Sequence, residues 1–153
     1  MDEQLATNLI IELMETAEAC YLTTLDNNFP QTRAMLNLRN SSHYPKLKTF
    51  FKTQNDHYIV YFTTNTASQK INQIKRNPNV SVYYARPVAW QGLMLGGQIR
   101  IISDPDIKNA IWQDNWSMYY PQGKTDADYA ILELKPKVLK LYNKLKTFTL
   151  NMD

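Results

Sequence analysis

The part of the sequence best suited to chemistry is a cluster of hydroxyl and cationic side chains near the middle of the chain. Residues 61–70 read YFTTNTASQK, so a strand-forming run ends and a helical pattern begins within a few positions. Four hydroxyl groups surround that point, from Thr63, Thr64, Thr66 and Ser68. Lys70 adds a full positive charge to the free N–H groups of the first helical turn. The segment therefore suits a phosphate monoester, unless Thr66 only caps the helix and Lys70 only faces water.

Arg33 is the second candidate for ligand binding. It lies in the middle of a strand pattern over residues 31–38. Its guanidinium could contact a phosphate or carboxylate with two N–H groups, or it could lie at the strand edge with its charge in water. The chain also has ten Tyr and three Trp, some of which could flank a planar ligand. No residue is a clear acid, base or nucleophile, so no catalytic residue is assigned.

Other kinds of chemistry have little support in the sequence. Cys20 is the one cysteine, which excludes an intrachain disulfide, and we expect it to be a buried, unreactive thiol. The two histidines, His43 and His57, are isolated, so no metal site is predicted. Glycine-rich phosphate loops and the nucleophile motif of hydrolases are both absent from the chain.

The composition is that of a folded protein, with 44% hydrophobic and 20% charged residues in 153. This length predicts a single domain over residues 1–153. A net charge of +3 does not require a nucleic acid or a membrane as partner. The N-terminus is acidic, and no apolar run reaches the roughly 18 residues of a membrane span. We therefore expect a cytoplasmic protein.

The elements that position these residues follow from periodicity and turn signals. Helices are predicted over residues 3–18, 66–76 and 105–114, the second opened by a capping box of Thr66 and Gln69. About seven strands are predicted, at residues 21–25, 31–38, 58–62, 80–84, 91–102, 129–134 and 138–145. Residues 40–55 and 115–128 are predicted loops. Because the strands come in consecutive pairs, the fold class is mainly β (α+β), an antiparallel barrel with flanking helices.

Several segments, taken in order, resemble one family. They are Arg33-Ala34-Met35-Leu36, the stretch 62–70, Asn77-Pro78-Asn79-Val80, Gln91 ahead of 93–97, Trp112 with 119–123, and Tyr142. Together they are similar to the FMN-binding split β-barrels related to pyridoxamine 5'-phosphate oxidase, and most of all to the short general stress proteins. The resemblance runs from about Cys20 to Tyr142.

The resemblance implies a split β-barrel that binds FMN at the interface of a homodimer. The residues it assigns to the cofactor are Arg33, Ala34, Met35, Leu36, Thr63, Thr64, Ser68, Gln69, Lys70, Gln91, Trp112 and Tyr142. Two positions depart from the family pattern, because Gln69 replaces an Arg and Leu38 stands where the oxidases carry a Lys. The C-terminal segment also lacks the Arg and His residues with which the oxidases bind pyridoxal phosphate. FMN binding is thus better supported than oxidation of pyridoxamine phosphate.

Three functions remain open from the sequence. The first is a flavin-dependent oxidoreductase acting on an unknown small molecule, with the cofactor supplying the redox chemistry. The second is a flavin-binding sensor or store without turnover, which shares every feature of the first. The third is an OB-like barrel that binds single-stranded nucleic acid, although the modest charge counts against it. A deazaflavin or haem in place of FMN is also open.

Overall fold

The computed structural model describes residues 1–153, which form four helices and eight strands. The helices are α1 (Glu3–Thr16), α2 (Pro45–Lys52), α3 (Gln69–Arg76) and α4 (Pro105–Ile111). The strands are β1 (Ala19–Asp26), β2 (Phe29–Leu36), β3 (Val60–Asn65), β4 (Asn79–Arg86), β5 (Gln91–Ile102), β6 (Tyr129–Leu134), β7 (Val138–Asn143) and β8 (Lys146–Asn151). Short 3₁₀ turns at Asp114–Met118 and Gly123–Thr125 lie in the long α4–β6 connection. No helix is both long and apolar enough to cross a membrane.

All strand pairs are antiparallel, and β5 joins two lobes of the sheet. Its first half pairs with β7, from Gln91 opposite Asn143 to Gly96 opposite Val138. Its second half pairs with β6, from Ile99 opposite Leu134 onward. A side chain at Gly97, between the halves, would lie 3.1 Å from Leu134 and 3.2 Å from the carbonyl oxygen of Lys135, so this close crossing favours glycine. The division of β5 curls the sheet into a split barrel, which confirms the predicted fold class.

The main core lies between α1 and the inner face of the barrel. Asp2 caps α1 by accepting a hydrogen bond from the backbone N–H of Leu5 at 2.9 Å. The apolar face of α1, including Ile10 and Leu13, then packs on inward-facing strand residues such as Leu22 and Leu93. Each such side chain contributes about 1.5–3 kcal/mol when fully buried. The apolar stripe of α1 thus closes one side of the barrel.

A second apolar cluster covers the other face of the β3–β6 lobe. It contains Leu47 and Phe51 of α2, Ile111 of α4, and Trp116 and Tyr120 of the long connection. Strand β6 lies between the two clusters and is buried at every position. The second cluster therefore anchors the α4–β6 connection, which reaches the candidate site described below.

Three local predictions are wrong. The predicted loop at 40–55 contains α2, which Pro45 starts and which buries two side chains one helical turn apart. Helix α3 begins at Gln69 with Ser68 as its cap, whereas Thr66 donates a hydrogen bond to Asp128 Oδ1 at 2.9 Å. The last predicted strand ends at Asn143, because Lys144 has a φ of 58° and turns the chain into β8.

Candidate functional site

A cleft of about 600 Å³ opens where β3 ends and α3 begins. It is lined by Leu36, Thr63, Thr64, Asn65, Ala67, Ser68, Lys70, Tyr119 and Tyr120. We call it the Lys70 cleft. One wall is polar and comes from the β3–α3 junction, and the other carries two tyrosines of the α4–β6 connection. Such a combination of a few polar groups with aromatic and apolar surface is typical of small-molecule sites.

Lys70 is held in place at the polar wall. Its ammonium group donates hydrogen bonds to Thr64 Oγ1 and to Ser68 Oγ, both at 2.9 Å. An ammonium has three N–H donors, so one is left for a ligand. Burial, and then the nearby charge of Arg33, lower the pKa of Lys70. Lys70 is therefore an ordered cation at the positive end of α3.

The Arg33 guanidinium lies near enough to Lys70 for its charge to act on that ammonium, and it is also fixed. It donates to Thr24 Oγ1 at 2.7 Å, the Gln31 carbonyl at 3.1 Å, Gln73 Oε1 at 3.2 Å and the Leu22 carbonyl at 3.3 Å. Its Nε–H and one Nη2–H have no acceptor in the protein. The four ion pairs of the chain involve neither Arg33 nor Lys70. Two neighbouring cations without a carboxylate partner favour an anion between or beside them.

The aromatic wall is carried by Tyr119 and Tyr120. The Tyr120 hydroxyl is hydrogen-bonded to Thr63 Oγ1 at 3.0 Å, and Tyr120 is buried, which raises its pKa. Tyr119 is 57% exposed. Asp126 holds this segment, since its carboxylate accepts the backbone N–H groups of Asp128 and Gln122, which lower its pKa. The cleft thus has one fixed tyrosine and one that is free to contact a ligand.

Five predicted residues line the cleft: Leu36, Thr63, Thr64, Ser68 and Lys70. Arg33 is close to them without lining the cavity. Three further predicted residues of the same region lie elsewhere. Ala34 is exposed on the outer face of the sheet, and Met35 packs against the main core. Gln69 is exposed on α3 and lines a separate polar cleft with Asp26 and Arg76.

The Lys70 cleft of the same chain does not contain three of the predicted residues, Gln91, Tyr142 and Trp112. Gln91 accepts a hydrogen bond from Arg86 and donates one to Asn143, both at 3.1 Å, and lines a second cleft of about 820 Å³. Tyr142 lies beside Tyr83 on the outer face of the sheet, with ring centroids 6.5 Å apart.

Trp112 packs in an aromatic cluster with Trp116 and Tyr129, 6.0 and 5.1 Å away. Its ring is also 6.1 Å from that of Tyr120, one of the two cleft tyrosines. The tryptophan therefore supports the aromatic wall from behind instead of lining the cavity.

Thr24 and Gln73, the buried partners of Arg33, are not predicted from the sequence. Gln73 lies between two buried isoleucines on the apolar side of α3. A polar residue on an apolar helix face is the signal that could have revealed it, since buried amides need hydrogen-bond partners. Thr24 carried no such signal, because threonine is common in strands.

The outer face of the β2–β1–β4 part of the sheet has no helix over it. The strand register places Tyr21 between Ala34 of β2 and Tyr83 of β4. Tyr21, Leu36 and Tyr83 are 41%, 47% and 38% exposed. This apolar face runs from the Lys70 cleft, at Leu36, toward Tyr142.

The fold and the cleft together define a class of protein. It is a split β-barrel in which two cationic side chains without a carboxylate partner lie beside the start of a helix. Residues 7–143 match the family model described as "Pyridoxamine 5'-phosphate oxidase", and the chain belongs to that family. General stress protein 26 of Bacillus subtilis is 23% identical over 146 residues, which are 94% of this chain and 92% of the relative.

Two solved structures share the fold over the whole chain. The first, from Clostridium acetobutylicum, is of a protein related to general stress protein 26, with 27% identity and a TM-score of 0.77. The match covers 100% of this chain and 98% of that chain. The second is a pyridoxamine 5'-phosphate oxidase-related, FMN-binding protein from Nostoc punctiforme, with 14% identity, a TM-score of 0.63, and the same coverage of 100% and 98%.

Proposed function

We propose that this chain binds FMN in the Lys70 cleft and uses it for redox chemistry on a small molecule. The observation that carries the proposal is the pair of ordered cations, Arg33 and Lys70, neither of which has a carboxylate partner. Two like charges near each other in a partly buried site cost free energy in the free protein. A phosphate monoester carries close to two negative charges and would offset that cost.

The donor set fits a phosphate group. Lys70 has one free N–H, Arg33 has two, and the hydroxyl of Ser68 lies at the start of α3. The rest of the cleft offers Leu36 and the exposed ring of Tyr119 to a flat, largely apolar body. When bound, FMN would supply the transfer of electrons or hydride, while these residues bind and orient it.

We further propose that a second copy of the chain covers the outer sheet face and completes the site. Tyr21, Leu36 and Tyr83 expose apolar surface there, and such a patch is typical of an interface. Gln91 and Tyr142 lie away from the Lys70 cleft of their own chain. In a two-fold dimer they would belong to the cleft of the other protomer, which accounts for their separation.

Binding without turnover is the second candidate, and one observation favours it. The cleft holds no carboxylate, histidine or thiol, so its only ionisable groups are Lys70 and the two tyrosines. A protein of this kind would serve as a flavin sensor or store. The two candidates share one site and differ only in whether bound flavin is reduced and reoxidised by small molecules.

The test is a visible spectrum of the purified protein, followed by titration with FMN and with riboflavin. Flavin bands, or quenching of FMN fluorescence at micromolar protein, support the proposal. A Soret band would assign haem instead, and a colourless protein that ignores added FMN would overturn flavin binding. Light scattering on the same sample reports the dimer. Anaerobic reduction with NADH or NADPH and reoxidation by candidate acceptors then separates turnover from storage.

A further inference from the structure

We propose that Gln73 is a positioning residue that orients Arg33 and thereby makes the site prefer phosphorylated over unphosphorylated flavin. The inference rests on the proposed FMN site and adds a residue to it that the family resemblance does not assign. Gln73 lies on α3, is 3% exposed, and does not line the Lys70 cleft. Its amide oxygen accepts from Arg33 at 3.2 Å, and this guanidinium is the route by which Gln73 would act on a ligand in the Lys70 cleft.

Gln73 is the centre of a buried hydrogen-bond network. Its Oε1 accepts from Thr24 Oγ1 at 2.6 Å and from Arg33 Nη2 at 3.2 Å. Its Nε2 donates to Gln31 Oε1 at 2.8 Å. Because the amide both accepts and donates, this set of partners fixes which of its ends faces Arg33. Thr24, with no exposed surface, closes the network by accepting from Arg33 Nη1 at 2.7 Å.

Every acceptor around Arg33 is electrically neutral. The four are a hydroxyl, a side-chain amide and two backbone carbonyls. A carboxylate at position 73 would hold the guanidinium as firmly and would also cancel its charge. The neutral amide keeps the full charge available, while Nε–H and one Nη2–H stay free for a ligand. This arrangement orients a cation for an anion from outside the chain.

The same contacts reduce the entropy that Arg33 would lose on binding. A free arginine side chain loses considerable rotamer freedom when it is immobilised by a ligand. Here the ordering is already achieved by the network, so the ligand gains the full charge-assisted contact. Loss of Gln73 should therefore weaken binding of a phosphate-bearing ligand without altering contacts to the flavin ring.

The experiment compares dissociation constants for FMN and riboflavin by fluorescence quenching in wild type and Gln73→Leu. We expect the preference for FMN to fall about tenfold, the size of one charge-assisted hydrogen bond. Riboflavin affinity should stay within about twofold of wild type, since uncharged contacts do not change. Asn72→Leu, an exposed neighbour on the same helix, is the control and should leave both affinities unchanged.

Two further variants separate positioning from general damage. Gln73→Glu keeps the shape and the acceptor, and it should also lower the preference for FMN because it cancels the charge of Arg33. Thr24→Val removes the hydroxyl that links Arg33 to Gln73. It replaces Gln73→Leu as the test variant if Gln73→Leu does not fold. In an Arg33→Ala background, Gln73→Leu should cause no further loss of preference.

The outcomes distinguish this inference from the proposed function. If wild type binds both flavins equally, the phosphate site itself is wrong, and the role of Gln73 is overturned with it. If wild type prefers FMN and Arg33→Ala removes the preference, the site stands. In that case, a Gln73→Leu protein that keeps the wild-type preference overturns the positioning role alone. Equal loss for FMN and riboflavin would likewise overturn it, because it would indicate only a damaged fold.

Discussion

Replacing Lys70 with methionine tests the candidate site most directly. Methionine keeps most of the length of the side chain and removes the ammonium. In wild type this ammonium is already ordered by Thr64 and Ser68, each at 2.9 Å, with one N–H left over. The substitution therefore removes one charge-assisted contact to a phosphate while leaving the walls of the cleft in place.

The size of the effect follows from that single contact. A hydrogen bond to a charged group contributes about 1.5–3 kcal/mol, which is roughly a 10- to 150-fold change in dissociation constant. Burial and the charge of Arg33 already lower the pKa of Lys70, so part of its hydration is lost before a ligand arrives. We therefore expect FMN affinity to fall in the upper part of this range, with riboflavin affinity within about twofold of wild type.

The assay is titration with each flavin at constant ionic strength, followed by fluorescence. Lys75→Met is the matched control, because it removes the same charge from an exposed position on the same helix. It should leave both affinities unchanged. Equal losses for FMN and riboflavin in Lys70→Met would refute the phosphate assignment, as would an equal loss of FMN binding in the control.

Three further predictions concern the free protein. The lowered pKa of Lys70 means that folding disfavours its charge, so the melting temperature of wild type should rise relative to that of Lys70→Met as the pH increases and Lys70 loses its proton. The rise should lie between that lowered pKa and the ordinary value of about 10.4, where the unfolded chain binds more protons than the folded one. Ser68→Ala should cost about 1 kcal/mol in chemical denaturation as a lost helix cap, and Thr66→Ala clearly less. Cys20 is buried and its pKa is raised to about 12, so a thiol reagent at pH 8 should react only after unfolding.

The sequence predicts the fold well where pattern and packing agree. The apolar stripe of α1 and the paired strands both carry strong local signals. Helix α2 was missed because its eight residues include three lysines, and only tertiary contacts of Leu47 and Phe51 make it favourable. Strand β8 was missed because its threonines alternate at an exposed edge with little apolar content.

The sequence predicts the residues of segment 62–70 together with Arg33 and Leu36, but not the contacts that join these segments. Lys70 and Ser68 lie within one segment, so a local pattern was enough to place them together. The Arg33–Gln73 contact joins residues 40 positions apart, and its partners are common strand and helix residues. Tyr120 comes to Thr63 from 57 positions away, from within the long α4–β6 connection. The first contact depends on how α3 packs on the sheet and the second on the register of β3 with β6, and periodicity determines neither.

Strand β6 has a consequence for how the protein unfolds. Tyr129 and Ile131 belong to one apolar cluster, and Leu132 and Leu134 belong to the other, so neither cluster can open without exposing this strand. Its amide protons should be among the slowest to exchange with deuterated solvent, and both halves of the barrel should melt in one cooperative transition. A ligand beside the β3–β6 pair would then protect amides throughout the chain, including those of α1 on the far side of the barrel.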